Sequence, residues 1–343
     1  MRIIYIFFFA LLISKNLFSN NIFETREYEL NFSSNNINLI KENKINEIKI
    51  ISFQNLIKRI LTKKNQKKIN FNDINFINLF ILNYKINNEK IINNNYYAKI
   101  KINFNAKLII NYLIKNKIEF INKAPSKFLV IILEKKDLNT YLLSDENNYY
   151  KYLNTTINET YKRYFKIPNL DFNDRFIFNE NHFRNDVFKQ NNILNKKYGT
   201  EYQILINSIT SNNDTFYDVY LYYNNQKYFL SKISIRNLSY DKLFNNILLK
   251  TINKWKEINQ INTSLNNKLE CTLKINNINE LRYVRGLLKS NILVQNLTLK
   301  EIELNNNLYS ILFVGSIANF KNSLELSRLN LFYQNDLCNI QLL

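Results

Sequence analysis

The chain has 343 residues, 46% of them hydrophobic, and a formal net charge of +19. That length allows two or three domains, each with a core of its own. The charge comes with abundant Lys, Asn, Ile, Phe and Tyr but only three Gly and two Pro. This is the mark of an AT-rich genome, and it does not point to a nucleic-acid partner: Arg, the forked phosphate ligand, is the scarce cation, and the lysines are scattered as on a solvated face.

The first twenty residues read MRIIYIFFFALLISKNLFSN. Arg2 precedes an unbroken apolar run over residues 3–13, and a polar stretch leads to Ser19. A run of that length suits the core of a signal peptide and falls short of the ~20 residues of a spanning helix. The expectation is a signal peptide over 1–19, a mature chain starting near Asn20, and a periplasmic product. An uncleaved inner-membrane anchor is the alternative. No cysteine lies near this segment, which excludes a lipoprotein-type N-terminus. No later segment is apolar over a spanning length.

Residues 22–122 read as a first α/β module. EYELNF at 27–32 alternates like a strand. Ile45, Ile48, Phe53, Leu56, Ile57, Ile60 and Leu61 follow at helical spacing. A short helix within 71–80 and a hairpin of strands 82–86 and 96–104 come next. A second amphipathic helix at 106–115 and a strand at 118–121 close the unit. The order βαββαβ is ferredoxin-like, with both helices on one face of an antiparallel sheet.

Ala124-Pro125 marks a boundary, and residues 123–262 read as a central module. FLVIIL at 128–133 is the continuous apolar run of a strand covered on both faces. A helix over 145–161 follows, with Tyr149, Tyr152, Leu153 and Ile157 inward, then a strand at 164–167. A helix over 181–197 ends at Gly199, where a helix C-terminal glycine belongs. Three strands at 201–209, 216–223 and 227–235 precede a final helix over 241–258. The alternation predicts a βαβ-containing three-layer unit whose ligand edge lies at the strands' carboxyl ends.

Asp171, Asp174 and Arg175 sit just after one such end, and His182 is close behind. Two carboxylates three residues apart suit a divalent cation or shared acid–base work. They equally suit a turn and a helix cap after Pro168. His182 has no HExxH-type partner. No phosphate loop, G-x-S-x-G or cofactor motif occurs, so no catalytic, cofactor or metal residue is assigned, and these four remain the functional candidates.

IPNLDFNDRFIF…NDVF…KKYGTEYQILI resembles the central part of the bacterial exported-protein family of unknown function numbered 2066. FQNLIKRIL…KINFNAKLIINYLIKNKI…SKFLVIIL is similar to that family's first half, and INELRYVRGLLKS…LTLKEIEL…LYSILFVGS to the tail of its longer members. The resemblance implies an exported α/β protein and transfers no catalytic residue.

Residues 266–343 read as a third module: a strand at 269–275, a helix at 278–288, a hairpin of 294–304 and 309–315, a helix at 320–329 and a last strand at 331–334. This again is βαββαβ, so the fold expectation is three small α+β and α/β modules in series, the first and last ferredoxin-like. In that fold the strand order is 4-1-3-2, and the first and last strands are antiparallel neighbours. Cys271 lies near the start of the first and Cys338 just past the end of the last. Their Cα atoms should then fall within the ~4.4–6.8 Å of a disulfide. The other reading is two unpaired thiols.

The functional expectation is a non-enzymatic envelope interaction or scaffolding protein with a protein partner. The rivals are a periplasmic metal-dependent hydrolase centred on Asp171, Asp174 and His182, and a binder of anionic envelope polymer or lipid headgroups at the membrane surface.

Overall fold

The chain divides at Ala124 and Asn259: Pro125–Ile258 form one unit, and the residues on either side of that stretch form the other. The first and third expected modules thus share a unit. The computed structural model describes residues 22–343 apart from 137, 157, 185–187, 212–213, 236–238, 304–305 and 335–336. The expected signal peptide and Ile157 lie outside the described residues. Among the described residues, three sheets and twelve helices make the protein a mixed α+β chain.

The discontinuous unit begins with β1 (Glu27–Ser33). Asn36 caps the next helix through its side chain, and α1 runs over Ile37–Ile60, burying Ile45, Ile48, Phe53, Leu56, Ile57 and Ile60. After the short helices α2 (Lys63–Gln66) and α3 (Ile74–Asn78) come β2 (Ile81–Ile92) and β3 (Asn95–Phe104). Asn93 and Asn94 join these two strands, both at positive φ, as a two-residue I′ hairpin turn requires. Along β3, Tyr96, Ala98, Ile100, Ile102 and Phe104 are buried in alternation. Phe53 lies 5.7 Å from Phe80 and 5.5 Å from Phe104, joining helix to sheet.

The sheet has three strands in the order β1-β3-β2, not four. The expected strand at 118–121 does not join it, which corrects the ferredoxin-like reading of this segment. Helix α4 (Ala106–Lys115) ends at Lys117, which has φ 53°. The chain then turns away: the Ile121 amide donates to the Ile60 carbonyl at 2.8 Å, and Phe120 forms a lone antiparallel bridge with Ile261.

The C-terminal part of this unit holds β10 (Asn266–Lys274), α11 (Ile278–Ser290), β11 (Val294–Ile302), β12 (Asn306–Val314), α12 (Ile317–Leu326), β13 (Leu329–Gln334) and β14 (Leu337–Leu342). The βαββαβ order is present, but the sheet order is β11-β12-β10-β14-β13. An extra strand, β14, separates the expected neighbours. It turns back from β13 and pairs parallel with β10, burying Cys338 and Ile340 where β10 would otherwise offer a bare edge. The sheet is therefore five-stranded, and the four-stranded ferredoxin-like order expected of it is not the one found.

Gly315 follows β12 at φ +94°, and a Cβ there would stand 2.8 Å from Ile261 Cγ2. Its amide also donates to the Leu265 carbonyl at 2.9 Å. Gly315→Ala is expected to cost about 2 kcal/mol through strain and contact together, read as a shift in urea midpoint. A change within ~0.5 kcal/mol, the range of a neutral surface substitution, would count against this account.

The continuous unit is built on β4 (Phe128–Lys136), whose residues Phe128–Leu133 are 0–1% exposed. The sheet runs β5 (Asn139–Leu142), β4, β7 (Tyr202–Ser211), β8 (Asp214–Tyr223), β9 (Gln226–Ile235), with β6 (Phe165–Lys166) beside β4. Strands β4, β6 and β7 are mutually parallel in pairing, while β7, β8 and β9 are antiparallel. The helix expected over 145–161 is two, α5 (Asn148–Thr155) and α6 (Glu159–Tyr164), capped separately by Asn147 and Asn158. The helix expected over 181–197 is also two, α8 (Glu180–Arg184) and α9 (Phe188–Tyr198). Ahead of them stands α7 (Phe172–Ile177), which the sequence reading placed in a turn. Helix α10 (Tyr240–Asn259) closes the unit.

Candidate functional site

Pro168 interrupts the chain after β6, and Leu170 sits at φ 62°. This brings Asp171 to the N-cap of α7, where Oδ1 accepts from the Asp174 amide at 2.8 Å. The amide holds the Asp171 carboxyl below the usual carboxylate range, and Lys197 adds to the effect. Asp174, one turn on, is fully buried. Its Oδ1 meets Lys197 Nζ at 2.7 Å, and its Oδ2 accepts from Tyr198 Oη at 2.5 Å and from the Leu170 amide at 3.1 Å. The bond to Asp174 raises Lys197 above its ordinary value, while burial pushes Tyr198 up to about 12. The Tyr198 hydroxyl also accepts from the Asn169 amide at 2.7 Å.

Lys197 therefore joins the two aspartates, with Nζ 3.3 Å from Asp171 Oδ1. Arg175 points elsewhere, donating to the Leu170 carbonyl at 3.1 Å. His182 belongs to a different local motif. Its Nδ1 accepts from the Asn179 amide at 3.2 Å, while its own amide donates to Asn179 Oδ1 at 3.2 Å. That reciprocal pair is the geometry of a capping box, and it keeps Nδ1 engaged as an acceptor. The structure thus brings Asp171 and Asp174 together and leaves Arg175 and His182 out of their hydrogen-bond network. Among the described residues no group of three His, Cys, Asp or Glu is arranged to hold a metal ion.

A second polar cluster was not singled out by the sequence. Glu134, Ser208 and Tyr217 are opposite one another across β4, β7 and β8. Tyr149 of α5 closes over them, its hydroxyl 2.7 Å from Ser208 Oγ and 3.1 Å from Tyr217 Oη. Glu134 Oε2 accepts from the Asn148 amide at 2.8 Å, a carboxylate at the N-terminus of α5. Burial pushes the Tyr149 and Tyr217 phenols up, so they stay neutral donors. The signal was an acid at the end of an apolar parallel strand. Its work here is to dock α5 onto the sheet: Ser208 is bonded to a neutral phenol, which does not activate it as a nucleophile.

Lys256 is buried on α10 at 8% exposure, and desolvation pulls it down to about 8. Its unfolded value lies higher, so between those values the unfolded chain binds the extra proton and stability rises with pH. The thermal midpoint is expected to climb between pH 8 and 9.5, below the range where unfolded tyrosines ionise, and Lys256→Met should flatten that climb. An identical slope in the variant would refute the assignment.

No protein family matches the chain, and no curated protein does either.

Proposed function

We propose that this is an exported, non-enzymatic interaction protein of a bacterial envelope that binds a partner strand along β2. The observation that carries this reading is the uncovered edge. Strand β2 pairs only with β3. Leu79 is 68% exposed, Leu82 64%, Ile91 60% and Ile92 55%. Apolar side chains are thus exposed at both ends of the strand, as at surfaces of protein contact, and a free sheet edge recognises an extended segment by main-chain hydrogen bonds. A bulge at Asn88 divides the edge into two runs.

The occupant is an extended segment of another protein, alternating apolar and acidic residues. Lys85 and Lys90 lie on β2, Lys49 of α1 stands 5.4 Å from the Tyr84 ring, and Glu89 is already paired with Lys41 at 2.6 Å. The charge of +19 opposes a second copy of the same chain. The Cys271–Cys338 bridge supports an oxidising compartment, as do the apolar N-terminal run and the resemblance to the exported family numbered 2066. What weighs against hydrolysis is that Asp171 and His182 are engaged in local caps and Asp174 is buried against Lys197 and Tyr198.

A photo-cross-linking residue at Leu82 should trap a partner peptide in the native envelope, and the same residue at exposed Leu249 should not. Ile91→Asp should abolish the adduct. Equal labelling from both positions would overturn the proposal.

A further inference from the structure

A second surface, unrelated to the β2 edge, lies in the continuous unit. Between the start of β4, strand β6 and the ends of α5 and α6 is an open cavity of about 450 Å³. Three lysines line it: Lys127 just before β4, Lys162 from α6 and Lys166 from β6. No acid is among its described lining residues. Glu159 pairs with Lys162 at 3.1 Å but is mostly solvated, at 82% side-chain exposure. Asp241, beside the lining residue Tyr161, is bound by the Tyr152 and Tyr161 hydroxyls at 2.8 and 2.9 Å. Lys166 stands 5.8 Å from the Tyr198 ring, a contact that leaves its charge available.

The remaining walls say what body accompanies the anion. Leu153, Tyr161 and Phe165 form a buried apolar side. Asn154 and Thr156, at the C-terminal end of α5, also line it. The last carbonyls of a helix have no intrahelical donor of their own, and hydroxyl groups can serve them. A bare phosphate would use the lysines and leave both other walls unmatched. The volume lies within the range of small-molecule sites.

The geometry points to a binding site for a polyol phosphate ester, its phosphate held by Lys127, Lys162 and Lys166 and its hydroxyls by the end of α5. The same chemistry occurs in soluble glycerol phosphate and in the headgroup of phosphatidylglycerol.

Calorimetry on the purified chain at ~0.15 M salt, where surface charge is screened, tests this with sn-glycerol 3-phosphate and with inorganic phosphate. Co-sedimentation with phosphatidylcholine vesicles, with and without phosphatidylglycerol, is run in parallel. Glycerol 3-phosphate should bind more tightly than inorganic phosphate. The pair Lys127→Gln with Lys166→Gln should weaken it about tenfold, roughly 1.4 kcal/mol. The pair Lys232→Gln with Lys242→Gln removes equal charge elsewhere in the unit and should leave affinity unchanged. Lysine-dependent retention on the anionic vesicles as well assigns the site to a lipid headgroup, and its absence assigns it to the soluble ester. Equal loss in both variant pairs, equal affinity for inorganic phosphate, or no binding at millimolar ester would each overturn the proposal.

Discussion

Asp174→Ala is expected to lower stability by about 3 kcal/mol, read in urea unfolding. The carboxylate is fully buried and joins three groups from two separate segments: the Leu170 amide, Lys197 and Tyr198. Removing it leaves Lys197 with only its longer, solvated contact to Asp171 and strips two donors of their acceptor. Lys197 is 27% exposed, so water softens the loss and keeps it at the lower end of the range for buried pairs. Asp171→Ala removes an exposed cap and a longer contact to Lys197 and should cost clearly less. Lys197→Met added to Asp174→Ala should recover part of the loss, because no ammonium is then stranded. If the two single aspartate variants lost the same amount, the burial argument would be wrong.

Breaking the Cys271–Cys338 bridge is expected to cost about 4 kcal/mol, the chain-entropy value for its 67-residue loop. The bonded pair has a Cα separation of 4.5 Å, and both cysteines are buried. Cys338→Ser should therefore unfold at lower urea, and reductant should act on the wild-type chain only once it is denatured. Thiol counting on denatured, unreduced protein checks the bond directly: two thiols per chain would remove the basis of the prediction.

The pairing of these cysteines was legible, but for a reason the fold replaces. The sequence placed Cys271 near the start of the first strand and Cys338 just past the end of its expected antiparallel neighbour, with two unpaired thiols as the other reading; they stand directly opposite on the parallel pair β10 and β14. Strand β14 escaped notice because LCNIQL is short and breaks its apolar residues with Asn339 and Gln341, although it turns back onto the neighbouring LNLFYQ. By contrast FLVIIL announced a strand buried on both faces, since no amphipathic element has six apolar residues in succession. At the candidate site, Asp171 as a cap was readable from local spacing. The burial of Asp174 was not, because Lys197 and Tyr198 come from 23 and 24 residues later, and only tertiary structure makes them neighbours. Helix α7 was hidden by Phe172 and Phe176, which a short buried helix would turn inward and which are 73% and 78% exposed. The openness of β2 was equally silent, as alternation looks the same whether or not a layer covers it.

The division at Ala124 and Asn259 also sets an order of assembly. A chain delivered from its N-terminus presents residues 22–124 long before their complement exists. The inserted unit is complete once Ile258 has emerged, and domains fold as units as they appear. The outer unit must wait with Phe120 and Ala106 uncovered, since Ile261 meets the one and the cleft wall at Ser290–Ile292 the other. Its closure, and the sulfur–sulfur bond that locks β14, come last. The early segment is thus the part that a chaperone would have to shield, and Leu337–Leu342 is the latch.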